Sequence, residues 1–284
     1  GGLRRKRMIE LGKVQELMVV RIKDFGVYLS EDEKSEASVL LPKKQVPQGT
    51  GVGDKLTVFI YKDSEDRLIA TTGTPKLEVG QCGVLEVKEV SRIGAFLDMG
   101  LEKDLLLPFK EQSHPVRQGE SCLVALYVDK SQRLAATMKV YAHMSNQSPY
   151  HQDDEVAGRI YEIKENLGAF VAVDYKYYGL IPKKELFENY HEGDEVMCRV
   201  TKVREDGKLD LSPRKKAYIQ MGVDAEQVMK ALDRCEGVLP FNDKASPEII
   251  KREFSMSKNA FKRAVGRLLK EGKIRITEKS IERL

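Results

Sequence analysis

The stretch Leu167-Gly168-Ala169-Phe170-Val171, with Leu180-Ile181-Pro182 and Gly193-Asp194 after it, decides the fold, because the chain writes it three times. An apolar run holding a glycine and then an aromatic also occurs at Phe25-Gly26-Val27-Tyr28-Leu29 and at Ile93-Gly94-Ala95-Phe96-Leu97. An aliphatic pair meets proline at Leu40-Leu41-Pro42 and Leu106-Leu107-Pro108, and a Gly-acid turn follows at Gly53-Asp54 and Gly119-Glu120. Each copy ends on a short basic-apolar run: Arg67-Leu68-Ile69-Ala70-Thr71, Arg133-Leu134-Ala135-Ala136-Thr137 and Lys208-Leu209-Asp210-Leu211-Ser212. The Pro, Gly-acid and Arg-Leu landmarks all shift by 66 residues between the first two copies. The Pro and Gly-acid landmarks both shift by 74 between the second and third. Chance matches would scatter, so the repeat is architectural.

Within a copy the pattern has period two. Leu56, Val58 and Ile60 alternate with Thr57, Phe59 and Tyr61, which predicts a strand with the first set inward. Cys122, Val124 and Leu126 hold the matching inward seats in copy two, and Val196, Cys198 and Val200 in copy three. Cys122 and Cys198 therefore stand in for valine-like core residues. Cys82 and Cys235 are remote from them and no CxxC pair exists, so reduced structural thiols in a cytoplasmic protein are expected. Five short strands in about 60 residues leave long bare edges unless the sheet curls into a small barrel.

At this point the copies resemble the OB-fold RNA-binding domain named after ribosomal protein S-one. The residues that carry the resemblance are Gly158-Arg159-Ile160, Leu167 to Val171, Gly179-Leu180-Ile181-Pro182 through Glu185-Leu186, and Gly193-Asp194-Glu195-Val196. Copy three fits best, and copy one carries an acidic insertion from Ser30 to Glu36. The resemblance implies that the second-strand aromatic lies on the outer face and stacks on a base, which here means Tyr28, Phe96 and Phe170. Strand parity agrees, because each ring is flanked by aliphatic residues that face the other way. Stacking on a π-face suits unpaired strands and tolerates many sequences. The alternative is that the rings pad contacts between neighbouring barrels. Phe25 adds a second aromatic in copy one only, and Lys43, Lys183 and Lys184 after the prolines are the best local cations. Leucines and prolines stand where the family often has a further aromatic or histidine, and residues 155–213 hold 9 Lys/Arg against 12 Asp/Glu. Weak or shared binding is expected from such barrels, since counterion release needs localised cations.

After Pro213 the period becomes helical. Ala225, Val228, Met229, Leu232 and Cys235 share one face, with Asp224 expected as N-cap and Gly237 as stop. Ser246-Pro247-Glu248 starts a second helix, and Ser257 caps a third that stops at Gly272. In that third helix Ala260, Phe261, Ala264, Val265, Leu268 and Leu269 are expected to form a buried stripe, with Lys258, Lys262, Arg263, Arg267 and Lys270 on the other faces. Two β-like runs follow, Lys273 to Thr277 and Ser280 onward, completing a winged helix-turn-helix whose basic helix would contact nucleic acid. Overall charge is +4, yet residues 214–284 hold 17 Lys/Arg against 10 Asp/Glu, so the cationic character belongs to this last segment.

Three such barrels followed by this winged helix resemble the conserved virulence factor B family of bacterial RNA-binding regulators. Leu239-Pro240-Phe241-Asn242-Asp243-Lys244-Ala245-Ser246-Pro247 carries the most specific part, continued by Phe254 to Lys258 and Phe261 to Ala264. Membership implies RNA binding with influence on gene expression and no catalytic step. Independently, no P-loop, GxSxG, HExxH or dinucleotide fingerprint appears. His143, His151, Asp153 and Asp154 match no standard metal-ligand spacing, so no metal and no cofactor are expected. No run of eighteen apolar residues is present to span a membrane, and no apolar segment follows the basic run Leu3-Arg4-Arg5-Lys6-Arg7.

The expected architecture is thus multidomain and mainly β. Three consecutive five-stranded OB-fold barrels (8–73, 78–139, 154–213) precede an α+β winged helix-turn-helix domain (220–284). The expected activity is non-catalytic binding of single-stranded RNA. Its contacts would be Phe25, Tyr28, Phe96, Phe170, Lys183, Lys184, Lys258, Lys262, Arg263, Arg267 and Lys270. The alternatives are duplex DNA read by the winged helix, or a protein-interaction scaffold.

Overall fold

Gly26, Gly94 and Gly168 explain why the glycine-aromatic and aliphatic-proline motifs occur together. Each opens the second strand of its copy at positive φ, and a Cβ there would fall 2.2, 2.3 and 2.0 Å from the carbonyl oxygens of Leu41, Leu107 and Ile181. Only a residue without a side chain admits that approach, so one motif presupposes the other. The computed structural model describes residues 9–215 and 217–284; the basic run 3–7 and residue 8, where the first domain is expected to begin, lie outside them.

In the first copy β1 (Val14–Lys23), β2 (Gly26–Ser30), β3 (Val39–Pro42), β4 (Lys55–Lys62) and β5 (Leu68–Thr71) form a closed barrel in the order β1-β2-β3-β5-β4. Closure comes from a parallel pair at Leu40 and Ile69. The second copy has β6 (Cys82–Val90), β7 (Gly94–Leu97), β8 (Leu105–Pro108), β9 (Ser121–Val128) and β10 (Leu134–Thr137) in the equivalent order. Its closing strands β8 and β10 lie together without a hydrogen-bonded ladder. The third repeats the closed form with β11 (Glu155–Lys164), β12 (Gly168–Val173), β13 (Tyr177–Pro182), β14 (Glu195–Val203) and β15 (Leu209–Ser212). The chain divides into two compact units, one ending at Met144 and the other beginning at Ser145.

Inward positions behave as the alternation predicts. Val58, Ile60, Cys122, Val124, Leu126, Cys198 and Val200 are buried, and desolvation pushes the Cys198 thiol up to about 12. One outward position does not. Phe59 is 1% exposed because it leaves its own barrel and joins the core of the second, among Leu77, Leu85 and Leu126. Parity placed it correctly on the outer face; what parity could not supply was the second barrel covering that face.

In the second unit α1 (Ala217–Arg234) leads into β16 (Val238–Leu239), α2 (Pro247–Phe254), α3 (Lys258–Lys270), β17 (Ile274–Ile276) and β18 (Ile281–Arg283), with sheet order β16-β18-β17. Ser246 and Ser257 are N-caps, accepting from the amides of Ile249 and Ala260 at 3.3 and 3.1 Å. Three expectations need correction. Asp224 is no N-cap: α1 begins at Ala217, and the Asp224 carboxylate is buried mid-helix as the partner of Arg214. Leu269 is exposed, because the apolar stripe ends with Leu268, whose carbonyl accepts from the Lys273 amide as the chain turns away. A third strand, Val238–Leu239, pairs with β18 and widens the wing that sequence read as two strands. Gly237 does follow the helix at positive φ, its amide returning to the carbonyl of Leu232.

Candidate nucleic-acid interface

The second-strand rings sit beside a feature common to all three barrels. The first strand skips one register position opposite each ring, between Val19 and Arg21, Val87 and Glu89, and Ile160 and Glu162. Such bulges re-aim a side chain out of the pleat. The extra residues are Val20, Lys88 and Tyr161, so the same backbone device puts different chemistry next to Tyr28, Phe96 and Phe170.

Barrel three has the most aromatic face. Tyr161 lies 6.2 Å from Phe170 between ring centroids, and Lys164 Nζ stands 5.4 Å above the Phe170 ring. Across the sheet Phe170 pairs with Leu180 and Ala172 with Tyr178, so Tyr178 shares the outer face two residues along. Lys208 Nζ is 4.8 Å over the Tyr178 ring. Three partly exposed rings and two cations thus gather on one surface, the composition that holds unpaired bases. Sequence reading singled out Phe170 and missed Tyr161 and Tyr178; parity carried across to the next strand would have reached Tyr178. Lys183 and Lys184 are exposed in the single 3₁₀ turn after β13, where the Lys183 amide bonds to the carbonyl of Leu167.

Barrel one offers a smaller version. Arg21 lies 4.9 Å over Tyr28, and Phe25 meets Tyr28 edge to face at 6.2 Å while 57% exposed. In barrel two Phe96 lines a cleft of about 410 Å³ that is also lined by Tyr61, Lys62 and Ser64 from barrel one. Phe96 therefore lies at a barrel-barrel contact and is still accessible.

The exit of every barrel is held by one hydroxyl. Thr71, Thr137 and Ser212 end their last strands buried and donate to Gln45 Oε1 (3.0 Å), Glu111 Oε2 (2.7 Å) and Glu185 Oε2 (2.8 Å). The same oxygens accept from the amides two residues on, Gly73, Lys139 and Arg214, at 3.0, 3.0 and 3.1 Å. Donating and accepting at once, the hydroxyl satisfies its own burial and fixes the first peptide beyond the barrel.

After barrel three that peptide belongs to Arg214. Its guanidinium donates to both Asp224 oxygens at 2.9 and 2.7 Å and lies 5.2 Å over Phe187, while Gln220 donates to Asp224 at 2.8 Å. This joint seats α1 against barrel three. On α3, Lys262, Arg263 and Lys270 are exposed and Lys258 is partly so. Arg267 is placed differently: it pairs with Glu271 at 3.0 Å and lies against Gly222 of α1, where a Cβ would meet its Nη1 at 3.2 Å. Four of the five α3 cations thus remain on the open faces. Among the described residues no group of three or more His, Cys, Asp or Glu is arranged to hold a metal, and no helix is long and apolar enough to cross a membrane.

Residues 11–73 and 79–139 match the S1 domain, residues 150–214 the S1 RNA binding domain, and residues 226–282 the CvfB-like winged helix domain. Protein YitL of Bacillus subtilis is 33% identical over 261 residues, covering 88% of this chain and 86% of its own. Conserved virulence factor B of Staphylococcus saprophyticus is 29% identical over 249 residues, covering 82% of this chain and 83% of its own. A solved multidomain protein with nucleic acid binding domains from Streptococcus pneumoniae is 26% identical and covers 96% of this chain and 98% of its own, with a TM-score of 0.46. None of these descriptions names a catalytic family. With three S1-type barrels, the family's own winged helix and relatives matched over most of their length, the chain belongs to the conserved virulence factor B family.

Proposed function

We propose that the protein binds single-stranded RNA on the outer faces of its S1 barrels, with the basic α3 adding phosphate attraction, and that it regulates gene expression after transcription without catalysing a reaction. The observation that carries this reading is the barrel-three face, where Phe170, Tyr161 and Tyr178 stand with Lys164 and Lys208. Rings bind bases whatever their sequence, and the modest cation count keeps the electrostatic share small. The test is fluorescence anisotropy of the full chain with a labelled single-stranded RNA and a duplex DNA of equal length at two salt concentrations. Preference for the single strand that persists at higher salt supports the reading. Equal indifference to both nucleic acids overturns it.

A second reading, duplex DNA held by the winged helix, is favoured by one observation: Lys262 and Arg263 are both exposed on α3. Charge reversal of Lys262 and Arg263 in the full chain separates the two. Under the leading reading it weakens RNA binding modestly and steepens nothing, whereas loss of all duplex binding with RNA unaffected favours the second.

A further inference from the structure

The cleft beside Phe96 has the form of a site. Its walls come from two barrels: Phe96 and Leu106 from barrel two, Tyr61 and Lys62 from barrel one. Two contacts pin its mouth. Arg133 on the β9–β10 hairpin pairs with Asp66 on the β4–β5 hairpin at 2.5 Å, and Lys103 Nζ donates to the carbonyls of Lys62 and Asp63 at 2.9 and 3.2 Å. The β4–β5 tip is itself stiffened, because Asp63 accepts from the amides of Arg67 and Glu65; the Arg67 amide above all holds the Asp63 carboxyl below its ordinary range. Behind the cleft Phe59 is sunk in the core of barrel two and stacks within 15° of parallel on Tyr61, centroids 6.5 Å apart. Tyr61 is therefore anchored through its neighbour, and the gap between the barrels is set before any ligand arrives.

We infer that this cleft is a slot for one unstacked nucleobase of a bound RNA strand, held between Phe96 and Tyr61. The inference rests on the RNA-binding reading above. Three features of the cleft select that occupant. About 410 Å³ lies at the small end of ligand-site volumes, enough for a base and its sugar and too little for a duplex. Aromatic rings contributed to one cleft by two barrels suit a flat partner with two π-faces, whereas one ring suffices for an open platform. The charged lining balances, Lys62, Lys103 and Arg133 against Asp66, Asp104 and Asp129, with Arg133 held by Asp66 and Lys103 by two carbonyls, which suits an uncharged base rather than a phosphate. Barrel one's hairpin stands beside the very ring that an RNA strand crossing barrel two would use.

The full chain keeps both barrels together for the test. Ultraviolet irradiation of its complex with a short single-stranded RNA of mixed sequence, followed by mass mapping of the cross-linked peptides, is expected to mark the peptides carrying Tyr61 and Phe96 as well as Phe170. Tyr61→Leu, which keeps an apolar wall and removes the ring, is expected to weaken RNA binding on the order of tenfold. The chain has no tryptophan, so Ser64→Trp at the exposed hairpin tip gives a single reporter whose emission is expected to fall with the midpoint seen by anisotropy. Cross-links confined to barrel three, with Tyr61→Leu binding as tightly as the unmodified chain, overturn the slot and leave the RNA-binding reading standing. No binding of the RNA by the unmodified chain overturns both. Cross-linked Phe96 with Tyr61→Leu silent also overturns it, since Phe96 then acts as an open platform.

Discussion

Barrels two and three carry a phenylalanine at the same strand position beside the same bulge, yet they present it differently. Phe170 lies among Tyr161, Tyr178, Lys164 and Lys208 on one surface of its own barrel. Phe96 faces a cleft made with the barrel before it. The contrast originates in how each barrel is joined to its neighbour. Barrel one is joined to barrel two by an apolar side chain, Phe59, which enters the other's core, and its hairpin lines the same cleft as Phe96. Barrel three is joined to α1 by a buried ion pair on residues beyond its last strand. A repeated fold thus acquires two kinds of aromatic face from the chemistry of its joints.

The largest expected effect tests the apolar joint. Phe59→Ala removes a buried ring from the second barrel's core and should cost about 4 kcal/mol in chemical denaturation followed by circular dichroism. A cost below about 1 kcal/mol would mean that the two barrels are not held together through this residue. Next comes the ionic joint. Asp224→Ala leaves Arg214 without its buried partner and should destabilise by roughly 3 kcal/mol, while the paired change Arg214→Met with Asp224→Leu should recover most of that loss. If the double variant were as unstable as the single one, the pair would be contributing net stability as well as orientation.

The faces themselves respond more modestly. Phe170→Ala should lower single-stranded RNA affinity by about 1–3 kcal/mol in anisotropy titrations, and unchanged affinity would reassign the ring to packing. Thr137→Val strips the hydroxyl at barrel two's exit and should cost about 1 kcal/mol, since Glu111 and the Lys139 amide lose their partner. A silent Thr137→Val would make that hydrogen-bond pair ornamental. The smallest effect is chemical. Burial pushes the thiols of Cys82 and Cys198 up to about 11 and about 12, whereas Cys235 is exposed. At mildly alkaline pH an alkylating reagent should mark Cys235 first, by peptide mass mapping; equally fast labelling of Cys198 would show that barrel three opens readily.

The repeat made most of this fold legible, because each barrel needs a glycine where two strands nearly touch and a proline where the third strand ends. Those demands are local and recur in sequence. The joints were not legible. Asp224 reads as an N-cap because a short acidic side chain before an apolar helical run is what caps look like, and its burial depends on Arg214 folding back from outside the helix. Phe59 reads as an outward strand residue, and only a second barrel makes that position interior. The same holds for the site. Tyr28, Phe96 and Phe170 came from the family resemblance with parity in agreement, Tyr161 appears only once the bulge in its strand is known, and Arg267 left the open face because Gly222 makes room for it on α1.

The hydroxyl at the end of each barrel has one more consequence. Thr71, Thr137 and Ser212 each bind the turn of their own barrel and the second amide after it. A barrel therefore carries its outgoing elbow with it, as an angle bracket rather than a swivel. Grafting one of these modules into another chain would transplant a direction as well as a surface, provided the graft runs two residues past the last strand.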